Sequence, residues 1–238
     1  MPIIMTRAIL AAIGLLAATV AVARAEQGAA SPVVVELFTS QGCSSCPPAD
    51  AILADLARRG DVIALALHVD YWDYLGWKDV FADPSFTERQ KAYARVAGAR
   101  SVYTPQMVVQ GMEHLVGVKP MELGDLIRSH AERGAPVTLS VTREGDRLAI
   151  RAAPAAAAVR PADVHVVSYL PSATTQIERG ENAGLTMTYV NIVRDWQKVG
   201  SWDGMSPLAL SVAVAPGPAA VIIQEQGPGA ILAAAKVR

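Results

Sequence analysis

The spacing of apolar residues changes twice along this chain. Val33 to Phe38 reads Val-Val-Val-Glu-Leu-Phe, a β-branched and aromatic run of strand length. In the segment from Pro47 to Ala57, residues Ala49, Ile52, Leu53 and Leu56 recur at i, i+3, i+4 and i+7, which predicts a helix with one apolar face. Gly60 ends it. Val62 to Val69 is a continuous apolar run, the pattern of a strand covered on both faces. Pro84 suits the first turn of a second helix reaching about Ala97. Gln106–Gln110 and Glu113–Val116 flank Gly111 as a hairpin. Pro120 to Arg133 predicts a third helix, with Leu123, Leu126 and Ile127 on one face and Gly134 at its end. The order is β-α-β-α-β-β-α, in which the first two strands are a parallel pair joined by a right-handed crossover.

From Pro136 onward the period falls to two. Candidate strands are Val137–Arg143, Arg147–Ala152, Asp163–Leu170, Leu185–Arg194, Leu208–Val214, Ala219–Gln226 and Ile231–Val237. Short strands with turn signals between them predict an antiparallel, sandwich-like unit. The expected organisation is an α/β domain over residues 31–134 followed by a separate β-rich domain over 135–238.

The first 25 residues read as a signal peptide. Arg7 supplies a basic start, Ala8 to Val22 is apolar, and Ala23-Arg24-Ala25 fits a small-x-small cleavage site. An apolar run of about 15 residues is short for a membrane span, which takes roughly 20. The mature chain is therefore expected to be secreted or periplasmic, with no stable membrane span. Losing Arg7 and Arg24 leaves 19 basic residues of the original 21 against 22 acidic ones, a net charge of about -3. The full chain is 52% hydrophobic and 18% charged, enough for a sizeable core and unlike a nucleic-acid-binding composition. Nucleic acid is not an expected partner.

Cys43 and Cys46, the two cysteines of the sequence, stand in Gly42-Cys43-Ser44-Ser45-Cys46-Pro47. A bridge across so short a loop constrains the unfolded chain very little, so a purely structural role explains it poorly. The motif falls where a strand gives way to a helix. The first helical turn carries unpaired N–H groups and a partial positive charge, which stabilise a thiolate. On this reading Cys43 is the exposed attacking thiol and Cys46 resolves the mixed disulfide. The partners would be protein thiols and disulfides or small thiols. No cofactor is expected beyond the disulfide itself. One competing use is a soft Cu(I) site formed by Cys43, Cys46 and His68; another is an interaction module whose β-rich unit docks a partner, with the dithiol as a redox switch.

Other residues gather around this motif. Thr104-Pro105 precedes a strand and admits either a cis bond or an ordinary trans one. Glu36 interrupts an apolar strand. A buried carboxyl there would be raised in pKa and able to take the Cys46 proton, or it forms a structural ion pair with Lys or Arg. Strands ending at Phe38 and Val69 finish on the dithiol's edge of a parallel sheet, where ligand sites lie. That places the loop Tyr71-Trp72-Asp73-Tyr74-Leu75-Gly76-Trp77 near Cys43. Tyr71, Trp72 and Trp77, together with Thr104, are the expected substrate-binding residues; the rings can equally form a satellite core under the loop. His114, His130 and His165 show no ligand spacing with the cysteines.

A strand, a C-x-x-C at a helix start, a β-α-β unit, and Thr-Pro leading into a hairpin and a last helix together resemble the thioredoxin fold. More narrowly, the segments Val35 to Asp50 (VELFTSQGCSSCPPAD), His68 to Asp73 (HVDYWD) and Arg179 to Gly184 (RGENAG) resemble the DUF1223 family of secreted bacterial proteins. The thioredoxin-like resemblance implies Cys43 as nucleophile, Cys46 as resolving thiol and Pro105 as a cis-proline. Gly42 stands where thioredoxin has Trp, and Ser44-Ser45 replace its Gly-Pro. The implied activity is thiol–disulfide oxidoreduction, with substrate, redox direction and oligomeric state left open.

Overall fold

The computed structural model describes residues 31–237. The signal-peptide segment lies outside the described residues.

The first half forms β1 (Val33–Thr39), α1 (Pro47–Ala57), β2 (Val62–His68), α2 (Pro84–Val96), the hairpin β3 (Gln106–Val109) and β4 (Glu113–Val116), and α3 (Pro120–Arg133). Proline stands in the first turn of each helix, where its missing N–H costs nothing. Asp83 caps α2 by accepting from the Ser85 N–H at 2.8 Å. Seven strands follow: β5 (Val137–Glu144), β6 (Arg147–Pro154), β7 (Ala162–Gln176), β8 (Thr186–Trp202), β9 (Leu208–Ala213), β10 (Ala219–Glu225) and β11 (Ile231–Val237).

Strand pairing overturns the expected fold class. A thioredoxin-like α/β core followed by a separate sandwich-like β domain is not what forms. A single mixed sheet of eight strands runs β11-β10-β7-β8-β2-β1-β3-β4, and β5-β6-β9 form a second, three-stranded sheet. The join is between β2 and β8, parallel, through the single register pair Ala66↔Ile192. Asn191, at φ +47°, reinforces it by donating its side-chain amide to the Ala64 carbonyl at 2.9 Å.

Burial explains why the second half does not stand alone. Val34, Phe38, Ile63, Leu65 and Leu67 share one core with Val167, Val193, Ala220 and Ile222, under Phe86 and Tyr93 of α2. The opposite face of β1 and β2 packs Val35, Leu37, Ala64 and Ala66 against Leu53 and Leu56 of α1 and Leu123 and Ile127 of α3. The small sheet places Leu148 and Ile150 on Val164, Val166 and Val221. β10 is therefore covered on both faces, and its run Ala-Ala-Val-Ile-Ile lacks the alternation of a half-exposed strand.

Candidate functional site

Cys43 and Cys46 form a disulfide with a Cα–Cα distance of 5.4 Å. The Cys43 N–H donates to the Ser40 carbonyl and the Cys46 N–H to the Cys43 carbonyl, each at 3.1 Å, so two successive turns carry the chain from β1 into α1. Cys46 is the N-cap of α1, as expected for sulfurs at a helix start. The expected exposure of Cys43 is not found: Cys43 is 1% exposed and Cys46 0%, while Ser44 and Ser45 face solvent.

Two segments hold this loop. The first is the aromatic loop after β2. Trp77 donates Nε1–H to Gln41 Oε1 at 2.7 Å. Trp72 donates Nε1–H to Thr104 Oγ1 at 2.7 Å, tying the loop to the cis Thr104–Pro105 bond. A Cβ on Gly42 would sit 3.0 Å from the Trp72 Cβ and 3.3 Å from the Trp72 carbonyl oxygen, so a larger residue there requires the aromatic loop to shift by a few tenths of an ångström. Tyr71 reaches Gln90 Oε1 at 3.2 Å and packs with Trp72 on the core below, and burial pushes its phenol up to about 12. Tyr74, 78% exposed, stacks on Trp72.

The second segment is the connection between β7 and β8. Asn182 is buried and donates its side-chain amide to the carbonyls of Gln41 at 2.9 Å and Cys43 at 3.0 Å. Glu181 Oε2 accepts from the Ser44 N–H at 3.2 Å and from Ser44 Oγ at 2.6 Å. In sequence these residues read as a loop between strands, within the segment Arg179 to Gly184 that carries part of the family resemblance.

A buried ionisable cluster adjoins the loop and first helical turn that carry the disulfide. Asp50, one helical turn after Cys46, accepts from Thr39 Oγ1 at 3.2 Å through Oδ2; its Oδ1 has no partner. Side chains in a helix lean toward its N-terminus, so a residue at i+4 lies over residue i. Burial pushes the Asp50 carboxyl up to about 7, with Asp79 adding to the rise and His68 and Thr39 opposing it. His68, at the end of β2, is fully buried and shares a 2.7 Å Nδ1 contact with Asp79 Oδ2, while its Nε2 is unpartnered. Asp79 Oδ2 also accepts from the Gln41 N–H at 2.8 Å. The side chain of Tyr189, from β8, packs edge-on to His68. Asp50 and Asp79 have a weak sequence signal at most: an acid on the apolar side of a helix, and an acid in a loop.

Glu36 belongs elsewhere. It lies on the α2 face of the sheet with Val34 and Phe38, across the sheet from α1. Arg89 grips its carboxylate through Nε at 2.6 Å and Nη2 at 2.9 Å, and Tyr93 OH adds a 2.6 Å bond. Of the two readings of Glu36, the ion pair is the one the geometry displays. The carboxylate expected to take the Cys46 proton is bonded by Arg89 and Tyr93 on the α2 face, whereas Cys46 begins α1 on the other face of the sheet. His68 is directed to Asp79, and among the described residues no group of three or more His, Cys, Asp or Glu is placed to hold a metal ion.

Fold and site together define a strand-rich protein with three helices, a mixed eight-stranded sheet and a C-x-x-C disulfide at the start of its first helix. The chain belongs to the DUF1223 family, described as a protein of unknown function, whose sequence profile matches residues 34–224. A structural-genomics crystal structure of an Agrobacterium tumefaciens protein is 37% identical, with a TM-score of 0.77 over 88% of this chain and 95% of that one. HBP35 of Porphyromonas gingivalis shares the fold at 13% identity, with a TM-score of 0.55 over 89% of this chain and 76% of that one. No curated protein matches the chain. Among the described residues no helix is long and apolar enough to cross a membrane.

Proposed function

We propose that this is an exported thiol–disulfide oxidoreductase, with Cys43 as the attacked sulfur and Cys46 as the resolving one. The observation that carries the reading is a disulfide closed across two residues at the start of α1, with a buried carboxyl of pKa about 7 one turn further on. A bridge this short contributes little as a staple. A carboxyl near 7 is suited to take or give a proton at working pH.

In the exchange, a substrate thiolate attacks Cys43 Sγ, the Cys43–Cys46 bond breaks, and Cys46 leaves as a thiolate that takes its proton from Asp50. A second substrate thiolate attacks the substrate sulfur of the mixed disulfide. Cys43 leaves and is protonated from water. Two substrate thiols become one disulfide, and the protein disulfide becomes a dithiol. Run backward, the same steps reduce a substrate disulfide. Trp72, the exposed Tyr74 and Thr104 form an aromatic and hydroxyl border beside Gly42 on which substrate would rest. Export is supported by the leader sequence and by a disulfide of the kind that persists in oxidising compartments.

The test is equilibration of the mature protein in glutathione redox buffers, with mass-tagging of free thiols, beside Cys43→Ser. A reversible two-electron transition that the variant lacks is expected. A potential near about -120 mV would mark an oxidant and one near about -270 mV a reductant. A bridge that stays closed across the whole buffer range would overturn the reading.

A further inference from the structure

We propose that Glu181, delivered to the dithiol by the β7–β8 connection, is a positioning residue that sets the reduction potential of the Cys43–Cys46 pair, holding it toward the disulfide. The inference rests on the oxidoreductase reading above and adds to it what regulates the site.

The geometry is specific. Ser44 follows Cys43, and both its backbone N–H and its hydroxyl donate to Glu181 Oε2, at 3.2 and 2.6 Å. The carboxylate is held there by a built turn. Gly180 and Gly184 take φ of +81° and +86°, values that only glycine adopts freely. The Ala183 N–H bonds the Gly180 carbonyl at 3.2 Å, and the Gly184 N–H bonds the Ile177 carbonyl at 2.8 Å. Asn182, next in sequence, is buried and clasps the carbonyls of Gln41 and Cys43. The charge of Glu181 is therefore held at the solvent-exposed side of the loop between the sulfurs. The other ionisable groups of the site, Asp50, His68 and Asp79, lie on its buried side.

The chemistry follows from charge. Reduction adds two electrons and two protons to the disulfide, and at neutral pH part of the dithiol ionises at Cys43. The start of α1 favours that thiolate through its partial positive charge. A carboxylate bonded to the next residue opposes it and also occupies a backbone N–H of the same loop. The reduced form is thereby disfavoured, and the potential becomes more negative. Nothing at Ser44-Ser45 would reveal this, because the charge arrives from a residue 137 positions away.

The experiment compares wild type, Glu181→Gln and Glu178→Gln in glutathione buffers, with the Cys43 thiol titrated by its alkylation rate against pH. Glu181→Gln keeps the shape and removes the charge. It is expected to shift the thiol–disulfide equilibrium toward the dithiol by about threefold, equivalent to about 14 mV, and to lower the pH at which Cys43 becomes reactive. Glu178→Gln, a charge removed from the same connection, is expected to match wild type. About 0.5 M salt should shrink the difference between wild type and Glu181→Gln, which a purely structural effect would not do. A wild-type pair that equilibrates normally while Glu181→Gln coincides with it, or while both variants shift alike, overturns this inference alone. A wild-type disulfide that never equilibrates overturns the oxidoreductase reading and this inference with it.

Discussion

Asn182 donates its side-chain amide to the carbonyl of Cys43 at 3.0 Å, across 139 residues of sequence. The same amide reaches Gln41 at 2.9 Å, so one side chain from the β7–β8 connection closes over the turn that carries the disulfide. The near-complete burial of both sulfurs accompanies this clasp. Asn182→Ala removes two hydrogen bonds, a loss of about 1–3 kcal/mol by typical values. Reduction of the disulfide by dithiothreitol, followed by thiol tagging, is expected to run several-fold faster in the variant. An unchanged rate would mean that the connection does not restrict access.

Asp50 inverts the usual acid behaviour. Its carboxyl titrates near 7 in the folded protein and near 3.8 in the unfolded chain. Between those values the folded state holds the proton that the unfolded state has released, so stability falls as pH rises from about 4 to about 7. Each tenfold gain in proton affinity on folding is worth about 1.4 kcal/mol, which makes the contribution a few kcal/mol. Asp50→Asn is expected to flatten that part of the stability curve in urea melts and to gain stability at pH 8 relative to wild type. It should also slow thiol exchange, since the proton donor is lost.

The Glu36–Arg89 pair tests a different face of the sheet. Arg89 holds Glu36 bidentately and stacks on Trp196 with its guanidinium carbon 3.6 Å from the ring centroid. Removing one member of a buried pair leaves the other uncompensated, at a cost of about 3–5 kcal/mol. Arg89→Met should lose that much in urea unfolding. The reduction potential should stay unchanged, because the pair lies across the sheet from α1. A shift in potential without a loss of stability would return Glu36 to the chemistry of the dithiol.

His165 on β7 acts in the opposite sense to Asp50. Burial, followed by the nearby Arg89, pushes its imidazole down to about 4 from the ordinary 6.5. Between these values the unfolded chain binds a proton that the folded state refuses, so stability falls as pH drops through about 6.5 to 4. His165→Gln should remove this acid-side loss in melts at pH 5 while changing little at pH 8. An unaltered acid limb would show that His165 is protonated in the fold.

The sequence by itself determined the local elements and the place of the chemistry. Strand, turn and helix around Cys43 depend on near neighbours: β-branched residues in Val33–Phe38, Pro47 in the first turn of α1, and apolar spacing at Ala49, Leu53 and Leu56. The helix-start position of Cys46 follows from the same signals. β10 carried a legible sign that went against a separate sandwich, since Ala-Ala-Val-Ile-Ile shows no alternation. Only the tertiary structure decided the rest. The partner of β2 is β8 through Ala66 and Ile192, a choice made by which faces must be buried together and not by any local pattern. The Cys43 carbonyl is held because Asn182 arrives from the β7–β8 connection, Glu36 is neutralised because Arg89 faces it from α2, and Asp50 keeps a proton because burial removes the water that would stabilise its charge. Each depends on groups brought together from distant parts of the chain, and hydrogen bonding and desolvation act only once that approach has occurred.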